Sequence, residues 1–222
     1  MPYRNELLEK RVGIAIMAKA PIPGLAKTRL IPRLGAEGSA LLQRWLLQRT
    51  VATAVIADTG PVRLWCAPDV RHPDFSTCRA YGAVTLHQQP TGDLGDRMMT
   101  AVQHELTPAG TLVIGTDCAL LSPSTLRTAA LSLATHDAVV VPAEDGGYVL
   151  LGMRDCHQEV FRDIAWSTPS VIAETRQRFA DLGLSVAELP ALWDIDLPED
   201  FERLCGLHPE ARTFVAGHEV AV

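Results

Sequence analysis

A run of basic residues near the start of the chain could bind phosphate. Residues 10–36 hold six lysines and arginines and no acid, in a chain whose formal net charge is −6. Lysine offers a point charge and arginine a planar fork, and both suit phosphate oxygens. The alternative is a group of solvated surface cations. The candidate polyphosphate-binding residues are Lys19, Gly24, Lys27, Thr28 and Arg29.

This loop is not a Walker A motif. That motif requires a glycine directly before the lysine, and Ala26 stands there. The loop contains Pro21, Pro23 and Gly24, so it cannot be helical through its middle. It follows an apolar strand, and ligands of open α/β sheets bind at the carboxyl ends of strands.

Acidic residues follow two later apolar segments. Asp117 ends the strand-like run 111–116, and Asp194 and Asp196 precede a proline that could start a helix. Carboxylates suit Mg²⁺, which shares its remaining positions with phosphates and water. We expect metal ligation by Asp117 and Asp196, with Asp194 as a neighbour or alternate ligand. The last two could instead be helix-start acids. A D-x-D motif can also carry the aspartyl nucleophile of a phosphatase. In phosphatases, however, this motif closes the first strand of the fold, whereas residues 194–196 lie near the C-terminus, so we exclude that class.

Three further segments could contact a substrate. Asp145, followed by paired glycines, is either a turn-former or a substrate contact. The loop before residue 98 places glycines and an arginine at a helix start, where they could contact base, ribose or phosphate, unless it is an ordinary capped loop. Trp166 could face a sugar ring or lie in the core. These segments contribute the candidates Gly92, Gly95, Arg97, Asp145, Gly146, Gly147, Tyr148, Trp166 and Ser167.

Composition excludes several classes of protein. The 222 residues are 47% hydrophobic and 21% charged, which fits one globular domain with its core at about 12–206. No apolar run is long enough to span a membrane and no signal peptide is visible, so we expect a cytoplasmic protein.

The five scattered cysteines argue against disulfides and structural zinc. A pI near 5.6 makes nucleic acid a poor partner. The seven dispersed histidines form no H-x-x-x-H or H-E-x-x-H motif. No Ser-His-Asp assignment can be made, so covalent catalysis finds little support, and a homodimer is only the commonest state.

Apolar runs alternate with helical stretches, which indicates a mostly parallel, twisted sheet with helices on both faces. An apolar stripe predicts a helix over Ser39–Ala57. Capping hydroxyls before prolines predict helices starting at Ser122-Pro123 and Thr168-Pro169, the second ending near Gly183, and another begins at Pro198. The expected strands are Val12–Met17, Val62–Cys66, Ala83–Leu86, Thr111–Ile114, Ala138–Val141, Tyr148–Gly152 and Leu184–Glu188.

Together these segments resemble the bacterial GT-A-type transferases that are labelled glycosyltransferases of unknown substrate. The likeness runs from about Gly13 to Phe201. Ala119 departs from it, because relatives commonly have proline there. More distantly the chain is similar to phospholactate guanylyltransferase and the sugar-nucleotide cytidylyltransferases. The likeness rests on the segments 17–21, 23–24, 26–30, 115–118, 142–148, 166–168 and 194–200.

The resemblance implies an α/β, single-domain nucleotide-diphospho-sugar transferase fold, with Mg²⁺ or Mn²⁺ at Asp117 and Asp196. GT-A glycosyltransferases hold their metal with a D-x-D motif near the middle of the sequence, whereas residues 115–117 supply a single acid, as in nucleotidyltransferases. We therefore expect nucleotidyl transfer from a nucleoside triphosphate to a small phosphorylated or carboxylate acceptor, with loss of pyrophosphate. The alternatives are sugar transfer from a nucleotide-diphospho-sugar and a non-catalytic nucleotide-binding regulator.

Overall fold

The computed structural model of the protein describes residues 11–217. Seven strands form one sheet in the order β3-β2-β1-β4-β6-β5-β7. All seven expected strands are present, with bounds within two residues of those inferred from the sequence. They are β1 (Gly13–Lys19), β2 (Val62–Ala67), β3 (Val84–Gln88), β4 (Thr111–Gly115), β5 (Ala138–Pro142), β6 (Tyr148–Met153) and β7 (Val186–Glu188).

Strand β6 is the one antiparallel member of this sheet. It pairs antiparallel with both β4 and β5, while the other four pairings are parallel. Only residues 143–147 connect β5 to β6. A parallel crossover needs about a dozen residues or more, so this short connection permits only a hairpin. The prediction of a mostly parallel α/β sheet is confirmed.

The sheet is covered by helices on both faces. Alternate residues of β1 point to opposite sides, with Ile14 and Ile16 in one apolar cluster and Ala15 in another. The helices are α1 (Ile31–Ala57), α2 (Pro73–Thr77), α3 (Leu94–Glu105), α4 (Pro123–Ser132), α5 (Val171–Asp181), α6 (Pro198–Leu207) and α7 (Pro209–Val215). Helices α1, α2 and α4 cover the face of Ile14, and α3 and α5 cover the opposite face. None of the helices between residues 11 and 217 combines the length and apolarity of a membrane span.

Two of the predicted helix starts are confirmed, and two differ from the structure. The Ser122 side chain accepts a hydrogen bond from the backbone N–H of Thr125, as a capping residue should, and α6 begins at Pro198. Helix α1 begins at Ile31 instead of Ser39, with a break at Gly35, where φ is +70°. Within the predicted part, Leu42 and Leu46 pack with Phe201 and Leu204 of α6, whereas Leu47, Val51 and Ala54 pack on the sheet.

The expected start of α5 at Thr168-Pro169 is wrong. The helix begins at Val171 after Ser170, and it ends, as expected, just before Gly183. The Thr168 hydroxyl donates to the backbone oxygen of Ala165 and so closes the preceding turn. Pro169 packs against Gly146, so the segment before the helix is held by the loop that joins β5 to β6.

Two glycine substitutions test how tightly the sheet is packed. An alanine methyl at Gly152 would lie 2.5 Å from Val139 Cγ1 and 2.6 Å from Leu112 Cδ2, whereas at Gly206, inside α6, it meets no atom within 4 Å. We expect Gly152→Ala to lower the free energy of unfolding by about 1–3 kcal/mol through overpacking. Gly206→Ala should raise it by about 0.5–1 kcal/mol, because alanine favours a helix over glycine. Urea denaturation measures both, and equal effects would contradict this account of the core.

Candidate active-site cleft

A cleft of about 510 Å³ opens at the carboxyl ends of β1 and β4. It is the place where open α/β sheets bind ligands. Its walls are the loop after β1, the loop after β4, the start of α3, the β5–β6 connection and the segment that precedes α6. Thirteen of the candidate residues line it: Lys19, Lys27, Thr28, Arg29, Arg97, Asp117, Asp145, Gly147, Tyr148, Trp166, Ser167, Asp194 and Asp196.

Lys27 joins the two predicted metal ligands. Its Nζ lies 2.6 Å from Asp117 Oδ1 and 3.2 Å from Asp196 Oδ1, and it donates to the Ile195 carbonyl oxygen at 2.6 Å. The lysine side chain is only 5% exposed. Burial alone would lower the pKa of Lys27, but the charges and hydrogen bonds of the two carboxylates outweigh it and raise the pKa. The lysine is therefore charged and pinned between Asp117 and Asp196.

The backbone of Lys27 is also unusual. It is left-handed, with φ +47° and ψ +47°, a region that residues other than glycine enter at a cost of about 1 kcal/mol or more. One turn of 3₁₀ helix, Thr28–Leu30, follows directly and buries Leu30. This conformation turns the chain so that Lys27 reaches inward while Arg29 stays exposed and lies 3.5 Å from Asp196 Oδ2.

A backbone hydrogen bond brings the C-terminal acids to the centre of the cleft. The Ile195 N–H donates to the Asp117 carbonyl oxygen at 2.9 Å, and a parallel bridge joins Leu192 to Ala143. The Asp200 carboxylate accepts from the N–H groups of Asp196 and Leu197 and caps the start of α6. Asp196 is thus held in place by the helix that follows it.

Asp194 lies in an unfavourable electrostatic environment. Partial burial, followed by the neighbouring charges of Asp145, Asp196 and Asp117, raises the pKa of Asp194 to about 6. Four acidic and four basic side chains line the cleft, so its formal charge is balanced. The Lys27 ammonium, however, pairs with Asp117 and Asp196 and not with Asp194. Asp194 is therefore harder to ionise than a fully solvated aspartate.

Two glutamines that no sequence motif indicates hold the cleft together. Gln43 of α1 is 3% exposed and donates to the Lys19 carbonyl oxygen and to Thr116 Oγ1. Gln89 donates to the carbonyl oxygens of Ala18 and Trp65. Gln43 could have been noticed, because it is a polar residue on the buried stripe of a long helix. Nothing in the local sequence around Gln89 indicates its partners.

Four predicted glycine contacts do not line the cleft. Gly24 has φ +80° and serves the turn of the basic loop, and a methyl group at Gly92 would lie 2.5 Å from the Asp96 carboxylate. At Gly95 it would meet Trp166 Nε1 at 2.8 Å, and at Gly146 the Pro169 oxygen at 2.2 Å. These last three glycines allow close packing of protein groups. Asp96 and Asp93 form a reciprocal capping box at the start of α3, so this loop is capped.

The aromatic pair at the cleft is largely packed. The ring centroids of Tyr148 and Trp166 are 6.5 Å apart in an edge-to-face arrangement. The Tyr148 hydroxyl donates to Met98 Sδ at 3.8 Å, and burial raises the pKa of Tyr148. Trp166 Nε1 is buried beside Gly95. Ser167, next in the chain, has φ +64°, so the segment is held in a constrained turn.

The remaining basic and cysteine residues have other environments. Arg33 pairs with Glu202 on α6 at 2.7 Å, and Arg11 pairs with Asp58, so neither lines the cleft. Lys10 lies outside the described residues. The five cysteines are free, as expected, and burial raises the pKa of Cys118, beside Asp117, to about 11. A thiol in that state is a poor nucleophile at neutral pH.

The comparisons place the chain in a family. Residues 50–168 match the family described as uncharacterised proteins conserved in bacteria, DUF2064, and the match covers more than half of the sequence. The chain belongs to this family. No curated protein matches this DUF2064 member.

Solved structures confirm the expected fold of this DUF2064 protein. A Desulfovibrio desulfuricans G20 protein provisionally named nucleotide-diphospho-sugar transferase has a TM-score of 0.80 and 24% identity, covering 95% of this chain and 99% of its own. A nucleotidyl transferase from Methanothermobacter gives 0.60 at 13% identity, covering 90% and 98%. A cytidylyltransferase from Leptospira borgpetersenii gives 0.59 at 12% identity, covering 96% and 99%. At these identities the likeness shows the fold.

The raised pKa of Asp194 makes a testable statement about stability. Because the folded-state pKa lies above the ordinary value near 3.8, folding is penalised as pH rises from about 4 through 6 and the carboxyl ionises. In the presence of a chelator, Asp194→Asn should match the wild type at pH 4 and exceed its free energy of unfolding by about 1–2 kcal/mol at pH 8, after allowance for solvent screening.

Asp155→Asn, which changes an exposed acid outside the cleft, is the matched control. Its difference from the wild type should not grow over this pH range. Urea denaturation at four or five pH values measures each difference. A constant offset of Asp194→Asn from pH 4 to 8 would contradict the electrostatic description of the cleft.

Proposed function

We propose that this protein is a divalent-metal-dependent nucleotidyltransferase. The substrates in this proposal are a nucleoside triphosphate and a small phosphorylated or carboxylate acceptor, and pyrophosphate is released. The observation that carries the proposal is the convergence of Asp117 and Asp196 on one buried cation, the Lys27 ammonium, below a rim of further cations. The related folds of two nucleotidyl- and cytidylyltransferases agree with it.

The carboxylates suit a divalent ion. Lys27 Nζ already occupies a position where two carboxylate oxygens stabilise positive charge, and such hard oxygen donors are those that Mg²⁺ and Mn²⁺ prefer. Asp117 and Asp196 would hold the ion, with Asp194 beside them. When bound, the ion would neutralise phosphate charge and orient the reacting phosphate.

The other residues would position the nucleotide. Lys19 and Arg29 are exposed at the rim and face the same opening, where they can bind phosphate oxygens. Lys27 would hold negative charge that develops on the phosphates during transfer. Arg97, whose Nε donates to the Gly92 carbonyl oxygen, fixes the loop across the opening. The chain would act through positioning and electrostatic stabilisation, without a covalent intermediate.

The first test combines binding and turnover. Purified, chelator-treated protein is heated with Mg²⁺ or Mn²⁺ and each nucleoside triphosphate, diphosphate and nucleotide-diphospho-sugar, and pyrophosphate release is then followed with a panel of acceptors. We expect one triphosphate to raise the unfolding temperature only with metal, since a ligand that binds the native state stabilises it. Asp117→Asn should lower metal-dependent turnover about 100-fold or more, and Asp155→Asn should leave it unchanged.

Each of the other possible results would indicate a different function for the cleft. Stabilisation by a nucleotide-diphospho-sugar, with release of nucleoside diphosphate, would replace nucleotidyl transfer by glycosyl transfer near Asp145, Tyr148 and Trp166. Binding of a nucleotide without turnover on a broad acceptor panel would indicate a regulator. A protein that no nucleotide stabilises, with or without metal, would overturn the proposal.

The role of Lys27 has its own test. Lys27→Met removes the buried charge and should weaken triphosphate binding about 10- to 100-fold, the range of a lost charge-assisted hydrogen bond. The matched control is Arg33→Met, because Arg33 belongs to the same basic segment but pairs with Glu202 away from the cleft. Titration calorimetry with metal and triphosphate gives both dissociation constants. Equal affinities for Lys27→Met and the wild type would remove Lys27 from the phosphate site.

A further inference from the structure

A second group of ligating side chains lies away from the cleft, where the last turn of α3 meets the edge strand β3. His87 is on β3, and His104 and Glu105 end α3. One ligand atom from each of the three residues lies within 4.8 Å of the others. None of these residues lines the cleft, and the function proposed above does not use them.

The fold builds this group on a rigid base. Trp65 of β2 is opposite His87 in the parallel register, so the two side chains share one face of the sheet. The Trp65 and His87 rings stack with centroids 5.1 Å apart, and His104 meets the edge of the same tryptophan at 5.5 Å. The indole ring thus orients both imidazoles toward each other, at 4.8 Å between their centroids.

The Glu105 carboxylate is buried and fixed by its contacts with neighbouring side chains. The Glu105 side chain is 1% exposed and cannot turn into solvent. Its Oε2 contacts the Arg63 guanidinium, while Oε1 lies 3.0 Å from His104 Nδ1. The arginine compensates part of the buried charge through one oxygen. The other oxygen faces the imidazoles.

We propose that His87, His104 and Glu105 form a binding site for a borderline transition-metal ion such as Zn²⁺. Two imidazoles and a carboxylate are a donor set that zinc accepts with water in the fourth position. Tetrahedral ligands at zinc distances lie about 3.4 Å apart, so ligand atoms up to 4.8 Å apart need to close by up to about 1.4 Å. Because the His104 side chain is 54% exposed, an ion and its water can enter from solvent.

The pKa of the His87 imidazole favours binding of a metal ion. Burial, with smaller contributions from His104 and Arg63, lowers the pKa of His87 despite the opposing charge of Glu105. An imidazole must lose its ring proton before it can bind a metal ion, and the lowered pKa of His87 favours this. Imidazole nitrogen favours zinc, copper and nickel over Mg²⁺, which distinguishes this group from the carboxylates of the cleft.

The test is titration of tag-free, chelator-treated protein with Zn²⁺ in a calorimeter. We expect one ion per protein molecule and at least about 100-fold weaker binding by His87→Gln and His104→Gln, since even outer-shell changes weaken metal sites by 10- to 100-fold. His157→Gln and Cys156→Ser are the matched controls, because they remove a histidine outside the group and the least buried of the five thiols. Both should bind as the wild type does.

A second readout places the ion. Paramagnetic Cu²⁺ quenches indole fluorescence at short range, so it should quench the wild type and quench Trp65→Phe much less. At a hundred times its dissociation constant Zn²⁺ should also raise the unfolding temperature by about 5–10 °C. Because His104 is exposed, His104→Gln should keep the wild-type unfolding temperature in chelator, which separates lost binding from lost folding.

The proposal is overturned if His104→Gln binds Zn²⁺ as tightly as the wild type, or if Cys156→Ser abolishes binding. It is equally overturned if Cu²⁺ quenches Trp65→Phe as strongly as the wild type. None of these results depends on nucleotide binding or turnover. The site can therefore fail while the proposed transferase stands, and the reverse also holds.

Discussion

The ion cluster of Lys27, Asp117 and Asp196 constrains the whole cleft. A lysine that is almost fully buried is tolerated only when anions compensate for its lost hydration, and here two carboxylates and the Ile195 carbonyl oxygen do so. These groups come from three distant parts of the sequence. Lys27 accepts a left-handed backbone to reach them. The loop after β1, the end of β4 and the start of α6 are therefore all linked through one ammonium group, in addition to their backbone and Gln43 hydrogen bonds.

The fold could be predicted because the apolar runs of the sequence are unambiguous. Most strands are short apolar segments between turn residues, and the stripe of α1 matches helical spacing. The direction of β6 was not expected, although the five-residue connection after Pro142 is too short for a crossover. At Thr168 the local capping pattern predicted a helix start, but the hydroxyl bonds Ala165 instead. Tertiary packing of Pro169 on Gly146 decided that boundary.

The candidate site was predictable where strand ends carried charge. Asp117 and Lys27 follow β4 and β1 closely, so the α/β fold alone brings them to the same edge. Their direct contact was not predictable, because it depends on the backbone of Lys27 and on the path of residues 193–196 beside the Asp117 carbonyl oxygen. The glycines that we expected to contact a substrate also depend on tertiary packing that the sequence does not show. Gly92, Gly95 and Gly146 leave space for protein groups, and a sequence does not show whether a close approach involves a ligand or a side chain.

Under the proposed function, charge balance would make the binding of metal and the binding of nucleotide depend on each other. Four acids and four bases line it, and Lys27 already satisfies the two carboxylates that would hold an ion. A divalent cation alone would add two positive charges next to this lysine, which Coulomb repulsion disfavours. A metal–triphosphate complex carries about −2 at neutral pH, so its phosphates would give Lys27 and Arg29 new partners and free the carboxylates to hold the ion. In the proposed function, the same balance would favour a metal–phosphate ligand over free metal in this cleft.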